Sequence, residues 1–313
     1  MPLWLSPRSN KGENVKRLLV LLTLLASVTV AGIAASSAEA VKFGQPDKDN
    51  VYPWVGLMAA FDEDGNPLWR CTGSLLSEDL FLTAGHCVSD PAAEGGDPVD
   101  LVRIWFTEGD EIIVTDPQYL ENLEAEAEDL CEGVEGYPCG GYSAEGTPEA
   151  LSGWTGRLTI PQTYDLGLVH ITRWVEGEYK PTTYGQVAPV GYLDELAADA
   201  PRGKGNVEFT VVGYGLQSVK PVESAIKQRM VGTVSLVNLR SALSGGWNLH
   251  YSNNPGQGHG GSGGTCFGDS GGPVISEDGY IVAVNSFVLN LNCNGAGFGY
   301  RVDTDLANEF IFG

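Results

Sequence analysis

The sequence predicts an all-β protein of the barrel type, on two observations. Short segments rich in β-branched, leucine and aromatic residues recur along most of the 313 residues, separated by turn-forming glycine, proline, asparagine and aspartate. Helical spacing is read at two short stretches, 119–130 and 303–310.

The elements follow in chain order. Residues 1–40 read as a signal peptide: a basic start (Arg8, Lys11, Lys16, Arg17), an apolar run from Leu18 to Ala35, and the cleavage pattern Ala38-Glu39-Ala40. The run is close to the minimum for a bilayer span, so an uncleaved anchor is the competing reading, and the small-residue ending favours cleavage. Trp54 to Met58 and Gly73 to Leu76 read as strands around the turn Asp62-Glu63-Asp64-Gly65-Asn66-Pro67, for which a hairpin is a simpler account than a calcium loop. Phe81 to Thr83 and Val102 to Phe106 are further strands. Residues 117–150 hold no lysine or arginine and many acids, and read as a surface insertion with a short helix at Tyr119 to Leu130. Later strands are expected after Asp165, at Phe209 to Gly215, at 281–287 and at 298–302. Gly256 to Gly264 reads as a loop, and a final helix places Val302, Leu306 and Phe310 on one face.

Charge narrows the function classes. The chain carries −22, and the leader holds four basic residues against two acids, so the 273 residues after it carry −24. Such a surface argues against a nucleic-acid partner and reads as a solvated acidic coat. Six cysteines in an exported chain allow three disulfides and fifteen pairings, and no C-x₂-C spacing suggests a metal site.

The chemistry lies in three segments. Residues 268–273, Gly-Asp-Ser-Gly-Gly-Pro, set Ser270 between glycines that let backbone amides approach a reacting carbonyl. A serine hydroxyl needs a base and a group to orient that base. His86, in Leu82-Thr83-Ala84-Gly85-His86-Cys87, supplies the first. Asp165, ahead of the apolar run Leu166 to Val169, supplies the second from a partly buried position. The same glycine-serine run also satisfies the nucleophile elbow of α/β-hydrolases, but there a histidine follows the serine, and all four histidines here (86, 170, 250, 259) precede it. His170, His250 and His259 carry no motif and are read as structural or solvent-exposed.

With this order and these motifs the chain resembles the chymotrypsin/trypsin family of serine endopeptidases over residues 41–313, with a poorer match between 106 and 157. The resemblance implies two six-stranded antiparallel β-barrels with a short C-terminal helix, the first at about 41–180, interrupted by the insertion, and the second at about 181–313. It implies a catalytic triad of His86, Asp165 and Ser270, an oxyanion hole from the N–H groups of Gly268 and Ser270, and disulfides Cys71–Cys87 and Cys266–Cys293. Cys131 and Cys139 then remain for a local bridge. It also implies an activating ion pair between the α-amine of Val41, freed by cleavage after Ala40, and Asp269.

For substrate selection the resemblance points to Gly264, Thr265, Ser286, Val288 and Gly297 as pocket residues. With no acid at Gly264 and a β-branched Val288 at the mouth, cleavage after small or medium apolar residues is expected, with large aromatics disfavoured. The expected protein is a secreted or extracytoplasmic monomer that acts on protein or peptide substrates, meets the membrane only during export, and has a protein inhibitor as a further partner. Its chemistry requires no metal or organic cofactor. Two alternatives are a catalytically inactive binding protein on the same fold and an esterase using the same triad.

Overall fold

Apolar segments too short to bury themselves must pair edge to edge, and here they close into two rings. The structure is a computed structural model that describes residues 41–42, 44–89, 99–109, 111–112, 141–199, 207–217, 227–253 and 263–313. The short β1 (Gln45–Pro46) precedes β2 (Val55–Phe61), β3 (Pro67–Leu75), β4 (Leu80–Thr83), the helical turn α1 (Gly85–Val88), β5 (Leu101–Trp105), β6 (Ala144–Ala150) and β7 (Gly167–Trp174). Strands β2 to β7 form a closed antiparallel barrel in the order β2-β3-β4-β7-β6-β5. Leu57, Phe81, Leu82, Val102, Ile104 and Leu168 fill its core. The hairpin between β2 and β3 turns on Asp62, whose carboxylate accepts the N–H groups of Asp64 (3.0 Å) and Asn66 (2.7 Å). These bonds, with one from the Asn66 side chain first among them, hold the Asp62 pKa below its ordinary value.

The second ring contains β9 (Glu208–Gly213), β10 (Met230–Asn238), β11 (Asn248–Asn253), β12 (Pro273–Ile275), β13 (Tyr280–Val288) and β14 (Gly295–Arg301). It runs β9-β10-β11-β14-β13-β12 and closes where Val274 of β12 pairs with Val211 of β9. Phe209, Val211, Val234, Leu249, Tyr251 and Val282 are buried inside it. β8 (Gln186–Val187) adds to β13 in parallel, followed by helix α2 (Tyr192–Asp199). The architecture is the expected one: all-β, two six-stranded antiparallel barrels, and a C-terminal helix α3 (Asp305–Phe312).

The structure departs from the sequence reading at β1 and β6 of the barrels and in two helices. Residues 144–150 are a barrel strand rather than part of the insertion, because β6 pairs with both β5 and β7. Its sequence, Ala-Glu-Gly-Thr-Pro-Glu-Ala, has little intrinsic strand preference, and its two partners impose the extended form. The helix expected at 119–130 and the Cys131–Cys139 bridge lie outside the described residues. Residues 45 and 46, assigned with the first barrel, pair instead with β10 of the second. Helix α3 is capped by the Thr304 hydroxyl, which accepts the Ala307 N–H at 3.2 Å, and it buries Ala307 and Ile311 more deeply than Leu306 and Phe310. Helix α2 had no clear sequence signal. Asp303 accepts the Leu193 N–H at 2.8 Å, and Asp194 and Glu195 in the first turn suit the helix dipole.

A buried ion pair locks the entry to the first barrel onto the second. Arg229, just before β10, is fully buried; its Nε donates to Asp47 at 2.8 Å and its Nη1 to the Thr107 carbonyl at 3.2 Å. Asp47 also accepts the N–H groups of Val51 and Tyr52, both at 2.9 Å. Arg229→Met leaves the Asp47 carboxylate buried without its counter-charge, and we expect a loss of about 3–5 kcal/mol in urea unfolding. Replacing both partners, Arg229→Met with Asp47→Asn, is expected to lose less than Arg229→Met alone.

Candidate active site

Three loops deliver the side chains singled out in the sequence. Strand β4 ends at Thr83, and α1 turns the chain so that His86 leaves the first barrel at its rim, with Cys87 bonded back to Cys71 of β3. The Cys71 and Cys87 sulfurs beside His86 are thus bonded to each other and offer no thiolate to a metal. Asp165, two residues before β7, is fully buried. It accepts the backbone N–H of His86 at 2.8 Å, and its Oδ2 lies 2.9 Å from His86 Nδ1. The Ser286 hydroxyl, from β13 of the other barrel, donates to the same Oδ2. These contacts fix a carboxylate and the imidazole it faces.

Ser270 sits in a loop whose shape depends on two left-handed glycines, Gly268 (φ +95°) and Gly271 (φ +77°). Thr72 of β3 holds this loop from the other barrel. Its N–H donates to the Ser270 carbonyl and its hydroxyl to the Gly268 carbonyl, both at 2.8 Å, while the hydroxyl accepts the Tyr214 N–H at 3.1 Å. Neither the Gly268 nor the Ser270 N–H has an acceptor among the described residues. Ser270 and His86 line one cavity of about 540 Å³, a volume suited to an extended peptide or a small ligand.

Asp269 points away from this cavity. Its carboxylate is fully buried and accepts the N–H groups of Gly215 (2.8 Å) and Cys266 (2.9 Å). Burial pushes its pKa up to about 7, against the opposing effect of those bonds and of the Lys227 charge. Val41 is buried in the second-barrel core beside Gly232. Since Ala40 precedes it, its nitrogen is a peptide amide in this chain.

Of the expected pocket residues, Thr265, Ser286 and Val288 line the cavity, whereas Gly264 and Gly297 do not. The reason is steric. A Cβ on Gly297 would fall 2.2 Å from the Tyr251 ring, and one on Gly264 would fall 2.6 Å from the Asn253 side chain, so both positions are already backed by larger neighbours. The second disulfide, Cys266–Cys293, lies beside this wall. Behind the cavity the Tyr251 hydroxyl, 2.9 Å from both Thr265 Oγ1 and Asn285 Oδ1, joins the two residues. Burial raises the pKa of that hydroxyl, which therefore keeps its proton.

Sequence reasoning missed Thr72, Tyr251 and Asn285. Asn285 did leave a signal, a polar residue directly after the apolar run Ile281 to Val284. His170 and His250 lie away from the cavity: the first faces Glu149 at 2.6 Å on the exposed side of β7, and the second stacks on Phe298. His259 lies outside the described residues.

Two antiparallel six-stranded barrels, with His86 and Ser270 lining one cavity and the buried Asp165 behind His86, are the arrangement of a trypsin-like protease fold. The chain belongs to the trypsin family, whose model matches residues 41–121 and 152–311. Among solved structures it is similar to HL collagenase, at 19% identity and TM-score 0.53, covering 83% of this chain and 94% of that one. It is also similar to human heparin binding protein, at 19% identity and TM-score 0.51, covering 87% and 95%. These likenesses carry the fold, and no curated protein matches the chain.

Because Thr72 spans the junction with both its backbone and its hydroxyl, Thr72→Val keeps its shape and deletes two bonds. It leaves the buried Tyr214 N–H without that acceptor, so we expect a loss of about 1–3 kcal/mol in thermal or urea unfolding. We also expect slower reaction of the Ser270 hydroxyl with a fluorophosphonate, since the loop that carries it loses a restraint.

Proposed function

We propose that the chain is a secreted serine endopeptidase that hydrolyses peptide bonds through His86, Asp165 and Ser270. The observation that supports this best is the pairing of His86 with a fully buried Asp165 at the rim of the cavity that Ser270 lines. Ser270 Oγ attacks the substrate carbonyl while His86 takes its proton. Asp165 holds the imidazole so that Nδ1–H points to the carboxylate, and it stabilises the imidazolium once formed. The N–H groups of Gly268 and Ser270, which have no acceptor among the described residues, receive the oxyanion. His86 then protonates the leaving amine, and water resolves the acyl-enzyme by the same relay. Disulfides suit an oxidising compartment, and among the described residues no helix is long and apolar enough to cross a membrane.

Fluorophosphonate labelling of protein beginning at Val41, with peptide and ester substrates in parallel, tests this reading. Label located at Ser270, absent from Ser270→Ala and strongly reduced in His86→Ala, is the expected result. A folded protein that takes no label favours the binding-protein alternative, and label with ester cleavage alone favours the esterase. Asp165→Asn, which leaves the imidazole without the carboxylate that sets its tautomer, is expected to lower kcat by about 10⁴.

The same reading assigns Asp269 to the α-ammonium of Val41 after cleavage at Ala40. While residues 1–40 remain attached, Val41 carries no α-ammonium, the Lys227 charge does not offset burial, and the Asp269 carboxyl, raised from 3.8 to about 7, keeps its proton longer in the folded than in the unfolded chain. Its contribution to stability is full below the unfolded value and is lost as pH rises through about 7. In the chain that starts at Val41 the ammonium offsets that loss. The melting temperature of the full chain, relative to that of the Val41 form, should therefore fall between pH 5 and 8. Parallel profiles for the two forms would count against the ion pair.

A further inference from the structure

The polarity of the cavity floor can be read from a chain of three side chains. Asn285 is 2% exposed and lines the cavity, and its Nδ2 has no hydrogen-bond partner among the described residues. A buried amide donor without a partner is a feature that a ligand can complete. Its other atom, Oδ1, meets the Tyr251 hydroxyl at 2.9 Å, and that hydroxyl meets Thr265 Oγ1, also at 2.9 Å. Thr265 lines the same cavity.

A phenol has one proton, so the chain runs in a single direction. If Tyr251 donates to Asn285 Oδ1, the Thr265 hydroxyl donates to Tyr251, and the floor is left with a donor at Asn285 Nδ2 and an acceptor at Thr265 Oγ1. If the Asn285 amide is turned over, it donates to Tyr251, Tyr251 donates to Thr265, and the floor has an acceptor at Asn285 and a donor at Thr265. Either direction presents one donor and one acceptor. A primary carboxamide presents the complementary pair, an apolar side chain matches neither, and a carboxylate matches only the donor. Charge also weighs against a carboxylate: among the described residues lining the cavity the arginine, Arg157, is exposed, and no lysine is present to compensate a buried anion.

We propose that this pocket selects a carboxamide side chain, glutamine or asparagine, at the residue preceding the scissile bond. This rests on the serine endopeptidase reading and revises the apolar preference expected from Gly264. Asn285 and Thr265 make the contacts, and Tyr251 is a positioning residue that fixes their polarity and, by filling the space over Gly297, limits the depth of the pocket.

The test uses one peptide series, identical except for Gln, Asn, Glu, Leu or Met before the scissile bond, with fluorophosphonate labelling run alongside. Labelling reports on Ser270 independently of that residue, so the two readings fail separately. With labelling intact, we expect kcat/KM for Gln or Asn to exceed that for Leu and Met by about ten-fold or more, because an apolar side chain leaves the buried amide unpaired. Leu or Met cleaved as well as Gln and Asn, or Glu preferred to both, overturns the proposal, and failure of labelling overturns it together with the endopeptidase reading. Asn285→Leu should reverse the order in favour of Leu. Tyr251→Phe should lower the Gln-to-Leu ratio, because the Asn285 amide loses the partner that orients it. If either variant fails to fold, the series on the unaltered protein still decides.

Discussion

A site divided between two barrels exists only while the seam between them holds, and here the seam is held by short hydroxyl side chains that cross it in both directions. Thr72 reaches from the first barrel to the carbonyls of Gly268 and Ser270 in the second. Ser286 reaches from the second to Asp165 in the first. Each bond contributes on the order of 1 kcal/mol, small beside the two apolar cores. Their importance is positional. A nucleophile and its base must stay within a fraction of an ångström of productive geometry, and buried hydroxyls on strands are stiffer anchors than long side chains on loops.

Buried charge around this seam is handled in three ways. Arg229 and Asp47 neutralise each other, and further hydrogen bonds from them go to backbone groups and the Asn50 side chain. Asp165 is held by a ring nitrogen, a backbone N–H and a hydroxyl, so its charge is spread over donors that also define the imidazole's orientation. Among the described residues Asp269 accepts two backbone N–H groups, and burial outweighs them together with the Lys227 charge. In the proposed reading this is the carboxylate that receives the Val41 α-ammonium.

His86 and Ser270 were legible in the sequence because each lies in a loop with marked neighbours, glycines for close approach and a cysteine for a crosslink. Asp165 was legible through the apolar strand that follows it. The two-barrel architecture came with those motifs, and the alternation of short strands agreed with it. What escaped shares one property: dependence on partners distant in the chain. β6 is extended because β5 and β7 flank it, whatever its own residues prefer. β1 joins the second barrel because its register meets β10, more than 180 residues later. Thr72 looks like any strand threonine until the nucleophile loop is laid against it.

Pocket polarity shows the same limit most sharply. Reading the pocket from one position, Gly264, treats glycine as empty space, and empty space suggests an apolar or roomy site. In the folded chain that space is backed by Asn253, and the space over Gly297 by Tyr251, which pairs with Gly297 across β11 and β14. The floor moves up to Thr265 and Asn285, and its character then depends on the direction of a hydrogen-bond chain rather than on any residue alone. Reversing that chain exchanges donor and acceptor but cannot remove either. The complement of such a floor is therefore a group with both functions side by side, whichever way the protons point.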